Sequence, residues 1–191
     1  MDKEKEWMQS LNPLAVNIVD AKKLEEWDIR MDNSQFENWL KKRKIFKLFF
    51  DKASKGHLGK GGGGGVIINP DGKVEVEYCW NIGYETNNMA EAYGLWQGLK
   101  QLLVKGVDEV MVFGDSRIII QAMNGGRKSD SIRIDRLTRR IRSITKLFRK
   151  VCFYHILRDL NALADNATNK TIDADLNGLI VNSVVKSDIP P

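Results

Sequence analysis

The chain has 191 residues, 42% of them hydrophobic and 29% charged, with two cysteines and a net charge of +5. That suits one ordinary domain plus an appendage and excludes collagen-like, coiled-coil and wholly disordered chains. No apolar run reaches the roughly 18 residues of a membrane span, the charged start Met1-Asp2-Lys3-Glu4 does not read as a secretory signal, and Cys79 and Cys152 make no disulfide framework, so a soluble, reduced, intracellular protein of nucleus or cytoplasm is expected.

Residues 1–44 scatter Trp7, Leu11, Trp27, Phe36 and Trp39 among dense charge, and short helices are expected around 21–28 and 34–43. Ile45 to Phe50 reads as a buried strand that ends at Asp51. A glycine-rich turn from Gly56 to Gly65 and a short apolar run, Val66-Ile67-Ile68, come next. Asn69-Pro70-Asp71-Gly72 is a turn, after which Val74, Val76, Tyr78, Trp80 and Ile82 alternate as in a half-exposed strand. From Asn88 to Val104 the apolar positions recur at helical spacing, and Gly106 supplies a stop. Val110 to Phe113 is a strand covered on both faces, and residues 116–124 form a short helix. Ile134, Leu137, Ile141, Ile144 and Phe148 make one helical stripe, with Arg133, Arg136, Arg139 and Arg140 mostly off it. Val151 to Ile156 is a fifth strand, and Asn161 can cap a last helix running to about Val181. The order β-β-β-α-β-α-α-β-α implies an α/β fold: a five-stranded mixed sheet, three antiparallel strands then two parallel ones, flanked by helices.

The charge is not spread evenly. Residues 127–158 hold 11 Lys and Arg against 2 Asp, a net +9 between two mildly acidic stretches. Such a block reads as a footprint for phosphate backbones, or as a solvated helix face. Four acids stand where elements meet turns: Asp51, Glu91, Asp115 and Asp165. Helix dipoles alone account for Glu91 and Asp165, and capping for Asp115. Asp51, continuing a hydrophobic strand, is harder to dismiss. Were all four to converge, the site would carry about −4 and require hard divalent cations held by oxygen ligands.

The residues around these acids carry a signature. Phe50-Asp51-x-Ala53-Ser54-Lys55-Gly56, Thr86-Asn87-Asn88-Met89-Ala90-Glu91, Gly114-Asp115-Ser116 and His155 through Asn161 to Asp165 together resemble type 1 ribonuclease H, in the flavour of plant and reverse-transcriptase-associated domains. The resemblance covers about residues 45–181, leaving an N-terminal extension, 1–44, and a C-terminal tail, 182–191. It implies a ribonuclease H-like fold and a two-metal endonuclease that cuts the RNA strand of RNA/DNA hybrids. Two Mg²⁺ ions per site, for which Mn²⁺ substitutes, would be held by Asp51, Glu91, Asp115 and Asp165. His155, ten residues before Asp165, matches the family histidine that assists proton transfer or product release. Thr86, Asn87 and Asn88 match positions that hydrogen-bond the two strands, and Arg133, Arg136, Arg139 and Arg140 lie where the hybrid backbone is gripped. Asn161 matches a structural asparagine, and Ser116 a packing or capping residue. A monomer is favoured, with no membrane partner.

Two departures stand out. The family has glycine after the first Asp, where this chain has Lys52. A left-handed backbone there would cost a non-glycine residue roughly 1–2 kcal/mol, and an ammonium beside the metals would compete with Mg²⁺ or contact phosphate. His57-Leu58-Gly59 stands where the family usually has Asn-Pro-Gly, so His57 keeps a donor for phosphate or base while the rigid turn is lost. Both are expected to reduce activity while the fold survives. The alternative is a catalytically weakened nucleic-acid-binding domain derived from a mobile element.

Overall fold

The computed structural model describes residues 26–53, 61–83, 86–126, 131–165 and 178–183. The elements in chain order are α1 (Asn33–Lys41), β1 (Phe46–Ala53), β2 (Gly61–Ile68), β3 (Val74–Gly83), α2 (Asn87–Val104), β4 (Glu109–Gly114), α3 (Arg117–Met123), α4 (Ile132–Thr145), β5 (Lys150–His155), a 3-10 turn (Arg158–Asn161) and β6 (Gly178–Ser183). One sheet has the order β5-β4-β1-β2-β3-β6. Its first three strands in chain order pair antiparallel, and β4 and β5 add to β1 in parallel. This is the mixed five-stranded sheet expected from the sequence, widened by one strand on the β3 edge.

Period-two alternation sends each central strand into two cores. Leu48, Phe50, Val110 and Val112 pack with Leu95, Leu99 and Leu102 of α2 and with Ile134, Leu137 and Ile141 of α4. Phe49, Met111 and Phe113 pack on the other face with Phe36 and Ile29, flanked by Trp39 and Tyr154. The continuous apolar runs Leu48 to Phe50 in β1 and Val110 to Phe113 in β4 follow from that double burial.

Three expectations are corrected. The five glycines at 61–65 form most of β2 rather than a turn. A Cβ at Gly63 would run into the main chain of Ala90 and Gly94, and one at Gly94 would lie 2.8 Å from Gly64 N. The glycines let α2 sit directly on the strand. Tyr78 seals this contact by donating its hydroxyl to the Gly94 carbonyl at 2.6 Å. The last helix does not reach Val181. A helical turn covers 162–165, and residues 178–183 are a strand paired antiparallel to β3, from Gly178 opposite Asn81 to Ser183 opposite Val76. The β3 edge was open, and pairing it satisfies main-chain groups that a helix end would leave bare.

The third concerns the N-terminal region. Residues 33–41 are helical, closed by an Asp32–Gln35 capping box. Residues 26–29, instead of completing a helix at 28, form a turn and a bridge beside β5. His155 N donates to Trp27 O at 2.7 Å, and Ile29 N donates to His155 O at 2.9 Å. Among the described residues, no helix is long and apolar enough to cross a membrane.

Candidate active site

Asp51 lies inside β1, opposite Gly64, two residues before the strand ends rather than at its end. Glu91 stands just past the first turn of α2, whose start is fixed by Thr86: its Oγ1 accepts from Met89 N. Asp115 follows β4, and Ser116 caps α3. Oxygens of Asp51, Glu91 and Asp115 all lie within 4.8 Å of one another. Asp165 sits in the helical turn at 162–165, exposed and outside that trio, yet its charge reaches Asp51.

Close packing of acids in a dry place sets their chemistry. Burial first, then the charge of Asp115, pushes the Asp51 carboxyl up to about 7, against a main-chain N–H from Lys52 that pulls the other way. Burial and the charge of Asp115 push Glu91 up to about 8, and a hydrogen bond with Ser116 opposes them. Burial also raises Asp115, while Arg158, whose Nε lies 3.8 Å from Asp115 Oδ2, and Lys52 restrain it. Without a cation, neutral pH leaves this cluster partly protonated, because three charges at such spacing in low dielectric repel too strongly. Hard oxygen donors that close together, with their charge uncompensated, fit a divalent cation.

Neighbouring groups hold the trio in place. Asn161, fully buried, donates from Nδ2 to Phe50 O at 3.0 Å, one residue before Asp51. It therefore ties the 3-10 turn to β1 rather than capping a helix. A Cβ at Gly114 would collide with the Phe50 ring, so the residue before Asp115 lies flat on the core. His155 is 8% exposed at the end of β5. Its Nδ1 is 2.8 Å from Asp28 Oδ1, and its Nε2 is 3.3 Å from the main-chain oxygen of Asp115. It thus touches the backbone of an acid, not its carboxylate. Lys52 is in regular strand pairing opposite Gly63, an extended backbone any residue adopts, so the strain expected at a non-glycine residue there does not arise. Its charge reaches all three acids. His57 lies outside the described residues.

The predicted nucleic-acid contacts separate into two groups. Thr86, Asn87 and Asn88 stand at the start of α2, beside the acids, with Thr86 and Asn87 exposed. Arg133, Arg136 and Arg140 join Met89, Tyr93, Trp96 and Leu137 in lining a groove of about 180 Å³ between α2 and α4. Its aromatic floor continues to Trp80, 5.1 Å from Tyr93 between ring centroids. Arg139 takes no part in the groove and pairs with Asp135 at 2.9 Å.

Sequence reasoning missed Asp28 and Arg158. Asp28 has no local motif and meets His155 and Arg117 only when 27–29 pair with β5. Arg158 lay in the basic block without a signal marking it as a guanidinium 3.8 Å from Asp115.

The sequence model of the reverse transcriptase-like family matches residues 49–171. A bifunctional protein of Mycobacterium tuberculosis is 31% identical over 125 residues, 65% of this chain and 34% of that protein. A ribonuclease HI of Halobacterium salinarum is 30% identical over 125 residues, 65% of this chain and 63% of that one. The matched region is thus less than two thirds of either relative. The crystal structure of LC11 ribonuclease H1 in complex with an RNA/DNA hybrid superposes with a TM-score of 0.61 at 32% identity, covering 67% of this chain and 96% of that one.

Proposed function

The chain belongs to the reverse transcriptase-like family of ribonuclease H domains, and from that premise we propose that it is a metal-dependent endonuclease hydrolysing the RNA strand of RNA/DNA hybrids. The observation that carries this reading is the trio of carboxylates, Asp51, Glu91 and Asp115, with oxygens within 4.8 Å of one another. They and Asp165 would hold two Mg²⁺ ions, or Mn²⁺ in their place. Divalent ions so held lower the pKa of a bound water and polarise phosphoryl oxygens.

The chain's own residues do the rest. Asp51, on the central strand, and Glu91, on the helix packed over it, present their oxygens from elements that cannot move independently, because α2 rests on β2 through Gly63 and Gly94. Burial keeps bulk water from screening the carboxylates. Thr86, Asn87 and Asn88, at the start of α2 before Glu91, would read 2′-hydroxyls, the group that separates RNA from DNA. Arg133, Arg136 and Arg140 contribute phosphate contacts along the groove, with Tyr93 and Trp96 beneath them. His155 supports the Asp115 turn through its main-chain contact.

The second reading, a domain that binds hybrid and cleaves weakly or not at all, draws on Lys52, whose fixed positive charge acts on the same three acids. One experiment separates the two. Labelled RNA/DNA hybrid, RNA duplex and DNA duplex are incubated with the protein under Mg²⁺ and Mn²⁺, beside an Asp115→Asn control. RNA-strand cleavage confined to the hybrid and lost in the control is expected. Binding without cleavage under both metals would leave only the second reading.

A further inference from the structure

The turn that carries Asp115 is pinned by the end of β5 and by the segment 27–29 beside it. Residues 114–117 leave β4 and enter α3, and three contacts hold them: Ile156 N donates to Gly114 O at 3.0 Å, His155 Nε2 meets the Asp115 main-chain oxygen, and Arg117 Nη1 lies 2.9 Å from Asp28 Oδ2. Two of these converge on one side chain. Asp28 takes His155 Nδ1 on Oδ1 and Arg117 on Oδ2, with Arg30 also 3.0 Å from Oδ2. Trp27 closes the arrangement, edge-on to the His155 ring at 6.3 Å and beneath the Arg117 guanidinium at 5.2 Å. Burial works to raise the Asp28 carboxyl, but hydrogen bonds from His155, Arg117 and Arg30 outweigh it and hold it at about 2.

This carboxylate is not the only tie of its own segment. Residues 27–29 are already fastened to β5 by two main-chain hydrogen bonds, and Ile29 and Phe36 are buried in the core. The side chain also spans both flanks of Asp115. We propose that Asp28 is a positioning residue for the carboxylate site: through His155 and Arg117 it holds the Asp115 turn where the three acids can share a divalent ion. The inference rests on the metal-dependent reading above. Groups that orient metal ligands from behind typically change metal affinity by about 10–100-fold when removed.

The test uses the full chain as wild type, Asp28→Asn, Asp28→Ala, Asp28→Glu and Arg30→Ala. Mn²⁺ affinity is measured by calorimetry without nucleic acid, hybrid affinity in EDTA, and cleavage as a function of Mg²⁺. Asp28→Asn and Asp28→Ala are expected to weaken Mn²⁺ binding about 10-fold or more, to shift the Mg²⁺ midpoint upward and to be rescued by excess metal, with hybrid affinity unchanged. Asp28→Glu recovers part of the loss, and Arg30→Ala, which touches Asp28 but not the turn, binds Mn²⁺ like wild type. Folded Asp28→Asn protein with wild-type Mn²⁺ affinity overturns the proposal. Should Asp28→Asn fail to fold, Arg117→Met reads the same turn: weakened metal binding in a folded protein supports the proposal, and unchanged binding overturns it. Wild-type protein that neither binds Mn²⁺ nor cleaves removes the metal-dependent reading itself, an outcome distinct from a normal wild type with unaffected Asp28 variants.

Discussion

Helix α2 serves two unlike surfaces. On one side Glu91 completes a dry pocket of acids with Asp51 and Asp115. On another, Met89, Tyr93 and Trp96 floor an open groove rimmed by Arg133, Arg136 and Arg140. Asp51 and Glu91 are 4% and 5% exposed, whereas the three arginines are solvated. In the pocket each charge acts on the others through low dielectric, so losing or moving one member changes all of them. In the groove water and salt screen each arginine, and contributions add nearly independently. The pocket should fail abruptly and the groove by degrees.

The strongest attempt to break this contrast is Asp115→Asn. Removing one of the four proposed ligands is expected to lower cleavage by at least about 10³-fold, roughly 4 kcal/mol of lost transition-state stabilisation. Hybrid affinity in EDTA should not fall, because the groove is untouched and one negative charge has gone. A variant that keeps near-normal cleavage, or loses binding and cleavage equally, would erase the distinction between the two surfaces.

Gly63→Ala tests the pocket's rigidity from behind. The added methyl would meet main chain of α2 at Ala90 and Gly94, neither of which can swing aside like a side chain. Forced separation of α2 from β2 is expected to cost about 1–3 kcal/mol of stability, read by denaturant midpoint. Cleavage should fall further than the lost folded fraction explains, because Glu91 moves with the helix. A fully stable, fully active variant would show that the contact is not tight.

This glycine run also marks where reading the sequence stops. β1 and β4 were legible because double burial writes short unbroken apolar runs, as at Leu48 to Phe50 and Val110 to Phe113. The acid trio was legible because each member lies in a recognisable local motif, although Asp51 proves to sit inside β1 rather than at its end. Five consecutive glycines are ambiguous in composition: a loop and a strand under a closely approaching helix ask for the same residue, and only the position of Ala90 and Gly94 decides. Strand β6 was missed because Asn161 resembles a cap, while its amide is spent on Phe50 O. Asp28 was invisible for a plainer reason. Its partners His155 and Arg117 are 127 and 89 residues away in sequence, and nothing near Asp28 announces them.

A pH series probes the pocket more gently. Asp51 is raised from 3.8 to about 7 and Glu91 from 4.5 to about 8, chiefly by burial. For an acid whose folded pKa is raised, the unfolded chain ionises first, so stability falls as pH climbs from the unfolded to the folded value. In EDTA the melting temperature should therefore drop between about pH 4.5 and pH 8. Asp28, held at about 2, contributes in the opposite sense; its share is lost only below the ordinary carboxylate range and leaves that window alone. Mg²⁺ should restore the loss at pH 8, and Glu91→Gln should flatten the slope. A melting temperature that rises across this window in EDTA would mean the acids are not packed as described.

The groove should yield the smallest effects. Arg133→Ala, Arg136→Ala and Arg140→Ala each remove one exposed cation that lines the groove. Each is expected to weaken hybrid binding only a few-fold at moderate salt and to reduce the slope of log affinity against log salt by about 1. Maximal cleavage rate at saturating hybrid should stay near wild type, because the carboxylates keep their geometry. Arg139→Ala supplies the internal control: its guanidinium is paired with Asp135 rather than turned into the groove, so its slope should change least. If Arg139→Ala matched the other three, the relevant feature would be the net charge of α4 and not the groove that Tyr93 and Trp96 floor. Equal losses for Tyr93→Ala or Trp96→Ala without any change in salt slope would show that the aromatic floor contacts the hybrid by stacking, separately from the arginines above it.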